Sequence, residues 1–209
     1  MRTLLALILT AGIATAQGEP AGRFDYYVLS LSWSPNWCAL EGDARDSAQC
    51  GPDRDLGWSM HGLWPQFEAG WPSFCRTARR DPDRTDTDAM ADIMGTSGLA
   101  WYQWKKHGRC SGLSSDDYFD TARRAYESIN RPAVLRELDR TIQLPASVIE
   151  QAFLRENPNL GADMITITCK SNYIQEARIC LTKDLEPRVC GKDVVRDCTM
   201  ADAIIVPIK

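Results

Sequence analysis

Eight cysteines, Cys38, Cys50, Cys75, Cys110, Cys169, Cys180, Cys190 and Cys198, constrain this 209-residue chain more than any other feature. Whether they read as bridges or as metal ligands depends on the compartment, and the N-terminus speaks to that. Met1-Arg2 is a short positive start, Leu4 to Ile13 an apolar run, and Ala14-Thr15-Ala16 a small-x-small cleavage pattern. This is the build of a secretory signal peptide over residues 1–16, with an apolar run too short to span a bilayer. Residues 17–209 are expected to form a single domain after export. In an oxidising compartment an even set of cysteines reads as disulfides. No Cys-x-x-Cys pair occurs, so zinc spacing is absent and no metal is expected. Four bridges would each stabilise by roughly 2–4 kcal/mol in the chain-entropy model. Spacing alone leaves their connectivity open.

Composition then narrows the function classes. With 44% hydrophobic and 25% charged residues, the chain is ordinary for a globular protein and unlike a disordered one. Its 24 Lys+Arg against 28 Asp+Glu give a net charge of −4, and removing the leader with its one Arg takes this to −5. A generic polyanion binder held by a broad basic surface is excluded. No later segment approaches transmembrane length, so an exported protein without a membrane anchor, periplasmic or extracellular, is expected. A monomer is the default.

Periodicity separates the chain into three parts. Phe24 to Trp33 is aromatic and β-branched, with Leu29, Leu31 and Trp33 alternating with Ser30 and Ser32, which predicts a strand with one buried face. Ser34 to Pro52 reads as a stapled loop, Trp58 to Trp64 as a strand stopped by Pro65, and Trp71 to Arg84 as another loop. The middle turns helical, over Asp86 to Met94, Gly98 to His107, Ser114 to Asn130, Pro132 to Asp139 and Ala146 to Glu156. Ser114-x-x-Asp117 supplies an N-terminal cap for the third of these. Met164 to Cys169, Tyr173 to Leu181 and Ala203 to Ile208 again read as strands. A strand, then helices, then strands predicts an α+β fold and not a parallel βαβ sheet.

Only two histidines are present, His61 and His107. His61 sits in His61-Gly62-Leu63-Trp64-Pro65, and His107 in Trp104-Lys105-Lys106-His107-Gly108-Arg109-Cys110. On a helix, Gln103 and His107 share a face, and Lys106 lies one turn from Tyr102 and Gln103. Two imidazoles can divide the work of general base and general acid. A lysine and a neutral amide can stabilise charge on phosphoryl oxygens, and a Trp can stack on a base. Without a metal, the nucleophile of a phosphodiester cleavage must come from the substrate, and RNA supplies a 2′-hydroxyl. The plainer readings place Trp33, Trp58 and Trp101 in the core and treat Lys105, Lys106 and Arg109 as a solvated helix end favoured by the dipole.

The two histidine segments resemble the two signatures of the ribonuclease T2 family of secreted endoribonucleases, in its bacterial form. Further similarity lies in FDYYVLSLSW at 24–33, Ala152-Phe153 with Asn157-Pro158, and ARICLTKDLEPRVC at 177–190. The resemblance spans nearly all of the mature chain. It implies a central antiparallel sheet packed against several helices, and metal-independent cleavage of RNA through a 2′,3′-cyclic phosphate. Loose base specificity, an acidic optimum and no cofactor are implied as well. His61 and His107 become the catalytic pair, with His107 as base and His61 as acid in the transfer step. Lys106 becomes the charge stabiliser and Trp64 part of a base-binding wall. The resemblance also implies Cys38–Cys50, Cys75–Cys110, and Cys180–Cys190 nested inside Cys169–Cys198.

One departure stands out. The family's second signature usually carries His-Glu where this chain has Tyr102-Gln103. Gln103 can only donate or accept hydrogen bonds, and Tyr102 can hydrogen-bond a phosphate oxygen. A missing carboxylate near His107 removes an influence that would raise its pKa, so a Gln103→Glu change is expected to raise the basic-limb apparent pKa. Two rivals remain: a catalytically weak exported RNA-binding or interaction protein on the same fold, and a metal-dependent hydrolase. The second lacks a carboxylate cluster to complete a site with two histidines.

Overall fold

In the computed structural model, which describes residues 19–209, strand β1 (Tyr26–Trp33) runs between two partners. The expected signal peptide at 1–16 lies outside the described residues. β2 (Trp58–Gln66) and β5 (Tyr173–Leu181) flank β1, both antiparallel to it. β3 (Ile142–Leu144), β4 (Ile165–Lys170) and β6 (Ala203–Ile205) complete a six-stranded sheet of order β2-β1-β5-β6-β3, with β4 also pairing with β5. Its centre is antiparallel as expected, but β5 and β6 meet in parallel through Tyr173 and Ile204, so the sheet is mixed. Buried Asn36 clamps that junction. Its amide donates to the Ile174 and Ile204 carbonyls at 2.8 and 2.9 Å, and its oxygen accepts from the Val206 N–H at 2.8 Å.

β1 is covered on both faces, unlike the one-faced strand expected. Tyr27, Leu29, Leu31 and Trp33 enter the main core. Tyr26 and Val28 face a smaller cluster with Cys180, Cys190 and Val194, against which Trp64 packs. The Tyr26 hydroxyl accepts from the Gly191 N–H at 3.1 Å, pinning the C-terminal segment over this face. β2 runs past Pro65, where the sequence placed its end. It is the sheet edge, and an edge strand tolerates a residue without an N–H.

Among the described residues six helices accompany the sheet: α1 (Ser34–Trp37), α2 (Arg84–Asp88), α3 (Ala91–Met94), α4 (Ser97–Lys106), α5 (Ser115–Ser128) and α6 (Ala146–Glu156). The stapled segment after β1 is not an irregular loop. Pro35 favours a helical start, and successive tight turns follow as far as Cys50. The helix expected at 86–94 is split in two, and 132–139 holds only a short 3-10 turn, Ala133–Glu137. α4 begins where Thr96 accepts from the Leu99 N–H at 3.1 Å, and α5 where Ser114 accepts from the Asp117 N–H at 3.1 Å. Trp33 and Trp58 are buried as expected, while Trp101 is half-buried against the same core. The cysteines pair as Cys38–Cys50, Cys75–Cys110, Cys169–Cys198 and Cys180–Cys190. No helix among the described residues is long and apolar enough to cross a membrane.

Candidate active site

Register places the site on the sheet. Directly paired residues share a face, so Trp64, Val28 and Cys180 form one row and Gly62, Ser30 and Arg178 the next. Between Gly62, which pairs with Ser30, and Met60, which pairs with Leu31, one residue of β2 is left over. That residue is His61. A bulge of this kind bends the strand and re-aims its extra side chain.

The His61 ring meets Glu176 of β5, with Nδ1 2.5 Å from Oε1. The other carboxylate oxygen accepts from Arg178 Nε at 2.8 Å and Nη2 at 2.6 Å. The Glu176 side chain is 2% exposed. Burial by itself raises its carboxyl, but the hydrogen bond and charge of His61, together with Arg178, outweigh that and hold it at about 2.

His107 arrives from the other side, as the residue that ends α4, its N–H donating to the Gln103 carbonyl at 2.8 Å. Only 5% exposed, it is pushed down to about 3, first by burial and then by the charges of Lys106 and His61. Its Nδ1 is buried without a hydrogen-bond partner among the described residues.

Trp64 stands between the two imidazoles. It stacks on His107 at 5.3 Å and 27°, and presents an edge contact to His61 at 5.4 Å and 80°. Its Nε1–H donates to Gln103 Oε1 at 2.8 Å, and the Arg178 guanidinium lies 5.4 Å from its ring. Gly62 permits this crossing. A Cβ there would stand 2.3 Å from Gln103 Oε1 and 2.4 Å from Trp64 Nε1. Behind the strand, the Tyr118 hydroxyl donates to the Leu63 carbonyl at 2.8 Å and ties β2 to α5.

The three cations of the second signature separate. Arg109 pairs with Asp81, which also accepts from Trp104 Nε1 at 2.8 Å. Lys105 lies over Trp101, and Lys106 lines the cleft. The Cys75–Cys110 bridge and the Phe74 N–H, donating to the Lys106 carbonyl at 2.8 Å, hold this end of α4 against the preceding loop.

Together these residues line a cleft of about 360 Å³. It gathers His61, His107, Lys106, Gln103, Trp64 and Tyr102. The sequence reading missed Glu176 and Arg178. Their signal was a Glu and an Arg two residues apart, a spacing that places both on one face, in a strand that is otherwise apolar but for Gln175. It also missed Trp71, half-exposed at the cleft's rim and read only as part of a loop.

A model of the Ribonuclease T2 family matches residues 24–190, most of the chain and both histidine segments. The chain belongs to the ribonuclease T2 family. Among similar proteins is a ribonuclease of Aeromonas hydrophila, 43% identical over 122 residues that make up 57% of this chain and 54% of that protein. Ribonuclease I of Escherichia coli K12 is 24% identical over 245 residues, covering 90% of this chain and 91% of that protein. The alignments to the Aeromonas protein and to a Haemophilus influenzae probable ribonuclease reach 54% and 44% of those proteins, so the chain spans about half their length. Among solved structures, an RNase-related protein from Calystegia sepium superposes with a TM-score of 0.67 at 21% identity, over 89% of this chain and 97% of the other. RNase NT in complex with 5′-AMP gives 0.63 at 20% identity, over 88% and 98%. These likenesses show the ribonuclease T2 fold.

Proposed function

We propose that this member of the ribonuclease T2 family is a metal-independent endoribonuclease that acts by transphosphorylation through a 2′,3′-cyclic phosphate to 3′-phosphate ends. The observation that carries the reading is the convergence of the chain's two imidazoles on one cleft that Lys106 also lines. His107, kept neutral into acid by its burial, suits the base that takes the 2′-hydroxyl proton. With its Nδ1 sealed, Nε2 is the nitrogen left to accept that proton. The 2′-oxygen then attacks phosphorus, and protonated His61 gives its proton to the departing 5′-oxygen. Lys106 faces the charge that builds on the phosphoryl oxygens, with the Tyr102 hydroxyl as a further donor. In hydrolysis of the cyclic phosphate the roles reverse: His61 activates water and His107 returns a proton to the 2′-oxygen.

Gln103 acts here through Trp64. Its oxygen is taken by the indole N–H, so it fixes the ring that stacks on His107 and walls the base site. Residues 17–209 are read as a single exported domain, periplasmic or extracellular and monomeric. Four disulfides support an oxidising compartment. The test is incubation of the oxidised protein with RNA in EDTA at several pH values, beside His61→Ala and His107→Ala. Cleavage in EDTA that both substitutions abolish is expected. A wild type that binds RNA without cutting it, or cuts only with divalent metal, refutes the reading.

A further inference from the structure

The buried carboxylate of β5 has no place in the scheme above, and its setting asks for one. Glu176 lies opposite Ser32 of β1, on the sheet face that carries the cleft. Burying a carboxylate there costs more than burying an apolar residue unless both oxygens are satisfied. They are, and by different partners: Oε1 by His61 Nδ1 and Oε2 by the Arg178 fork. α4 brings only Tyr102, Gln103 and Lys106 to the cleft, so it offers no carboxylate to either imidazole.

We propose that Glu176, itself fixed by Arg178, is a positioning residue for His61, locking the ring so that Nδ1 keeps its proton and Nε2 faces the substrate. This rests on the reading of His61 as the proton donor. An imidazole carries its second proton on whichever nitrogen the surroundings favour, and a carboxylate at one nitrogen assigns the other to the chemistry. The bulge at His61 turns the ring off the strand, and an extra residue without a ladder partner needs some other anchor. Glu176 supplies it from 115 residues away in sequence. The arrangement leaves the two imidazoles unlike each other. His61 has a carboxylate behind it, and His107 has a sealed Nδ1 with no partner among the described residues. The first is built to hold and deliver a proton from Nε2, and the second to accept one.

Glu176→Gln tests this, because a glutamine amide can turn its NH₂ toward Nδ1 and reward the other tautomer. Steady-state cleavage of a dinucleoside monophosphate is expected to show kcat down by about 100-fold, the scale of lost outer contacts to a working imidazole, with KM within about twofold. Glu176→Asp, which keeps the charge and shortens the reach, should recover part of that loss. The imidazole ¹⁵N spectrum needs no variant, since the chain has only two histidines to assign. In the wild type the neutral His61 ring should be protonated at Nδ1. A wild-type ring protonated at Nε2 overturns the proposal, even if the Gln variant fails to fold. So does a folded Glu176→Gln enzyme with wild-type kcat. If His61→Ala leaves cleavage intact, the proton-donor reading fails instead, and the tautomer measurement still decides the contact.

Discussion

The substitution that most directly probes the electrostatics of the site is Gln103→Glu. Gln103 is 1% exposed, one helical turn before His107, and both line the cleft. The wild-type base is already held at about 3. A carboxylate within one helical turn favours the imidazolium and raises its pKa by about 1–3 units. Taking about 2, the base moves to about 5. At pH 4 about nine-tenths of wild-type His107 is free to accept a proton, against about one-tenth in the variant, so kcat/KM falls about tenfold there and hardly at all at pH 7. The sign matters. Protonation silences a base, so the shifted limb is the acid one, not the basic one expected from sequence alone. The glutamate keeps an oxygen for the Trp64 N–H, so the stack on His107 survives. The assay is kcat/KM for a dinucleoside monophosphate from pH 3 to 8, with thermal unfolding as the control for folding. An acid limb that stays in place in a folded variant refutes the assignment of His107 as base. An equal loss at pH 4 and pH 7 means that geometry, not charge, was lost.

Other substitutions test the supports of the cleft. Gly62→Ala puts a methyl where the Gln103 and Trp64 side chains meet, and should cost about 1–3 kcal/mol by overpacking with a kcat/KM loss of tenfold or more; wild-type kinetics and melting would show that the crossing is not needed. Replacing Cys75 and Cys110 by Ser opens a loop with a sequence separation of 35, and should remove about 3–4 kcal/mol in a guanidinium titration by the chain-entropy estimate. An unchanged midpoint would contradict it. Stability should also fall in acid. His107 is held below its unfolded value, so the folded state resists protonation, and stability is full above about pH 6.5 and declines toward pH 3 by up to ~1.4 kcal/mol per unit. Glu176, likewise depressed, extends the loss from about pH 4.5 toward 2. Urea titrations at pH 7, 5 and 4 should show a shallower decline in His107→Asn than in the wild type; parallel declines would remove His107 as the cause.

Much of the fold was legible because its signals are local. α6 occupies Ala146–Glu156 and β5 Tyr173–Leu181, the bounds that periodicity alone suggests. α5 starts after Ser114 because a serine just before a helical run can accept from the amide three residues on, a signal carried within four residues. The misplaced elements depend on distant partners. β2 passes through Pro65 because no described residue pairs on its outer side, and β3 is three residues that become a strand by lying against β6. The turns between Ser34 and Cys50 are held by a bridge whose pairing spacing does not specify.

The same division runs through the site, and it explains which residues were found. His61, Trp64, Lys106 and His107 sit in two short segments whose composition is unusual for any structural purpose. Glu176 and Arg178 do not. Read locally, they are two charges in a strand, and antiparallel strands commonly carry such residues on a solvated face. What changes their meaning is register. Ser32 opposite Glu176, Ser30 opposite Arg178 and Gly62 opposite Ser30 set small residues of β1 and β2 beside the two charged residues of β5. Only then does a carboxylate from β5 reach a ring that the bulge has turned off β2. The chemistry of a lone histidine is read from its sequence neighbours, but which of its nitrogens works is decided by a strand that arrives 115 residues later.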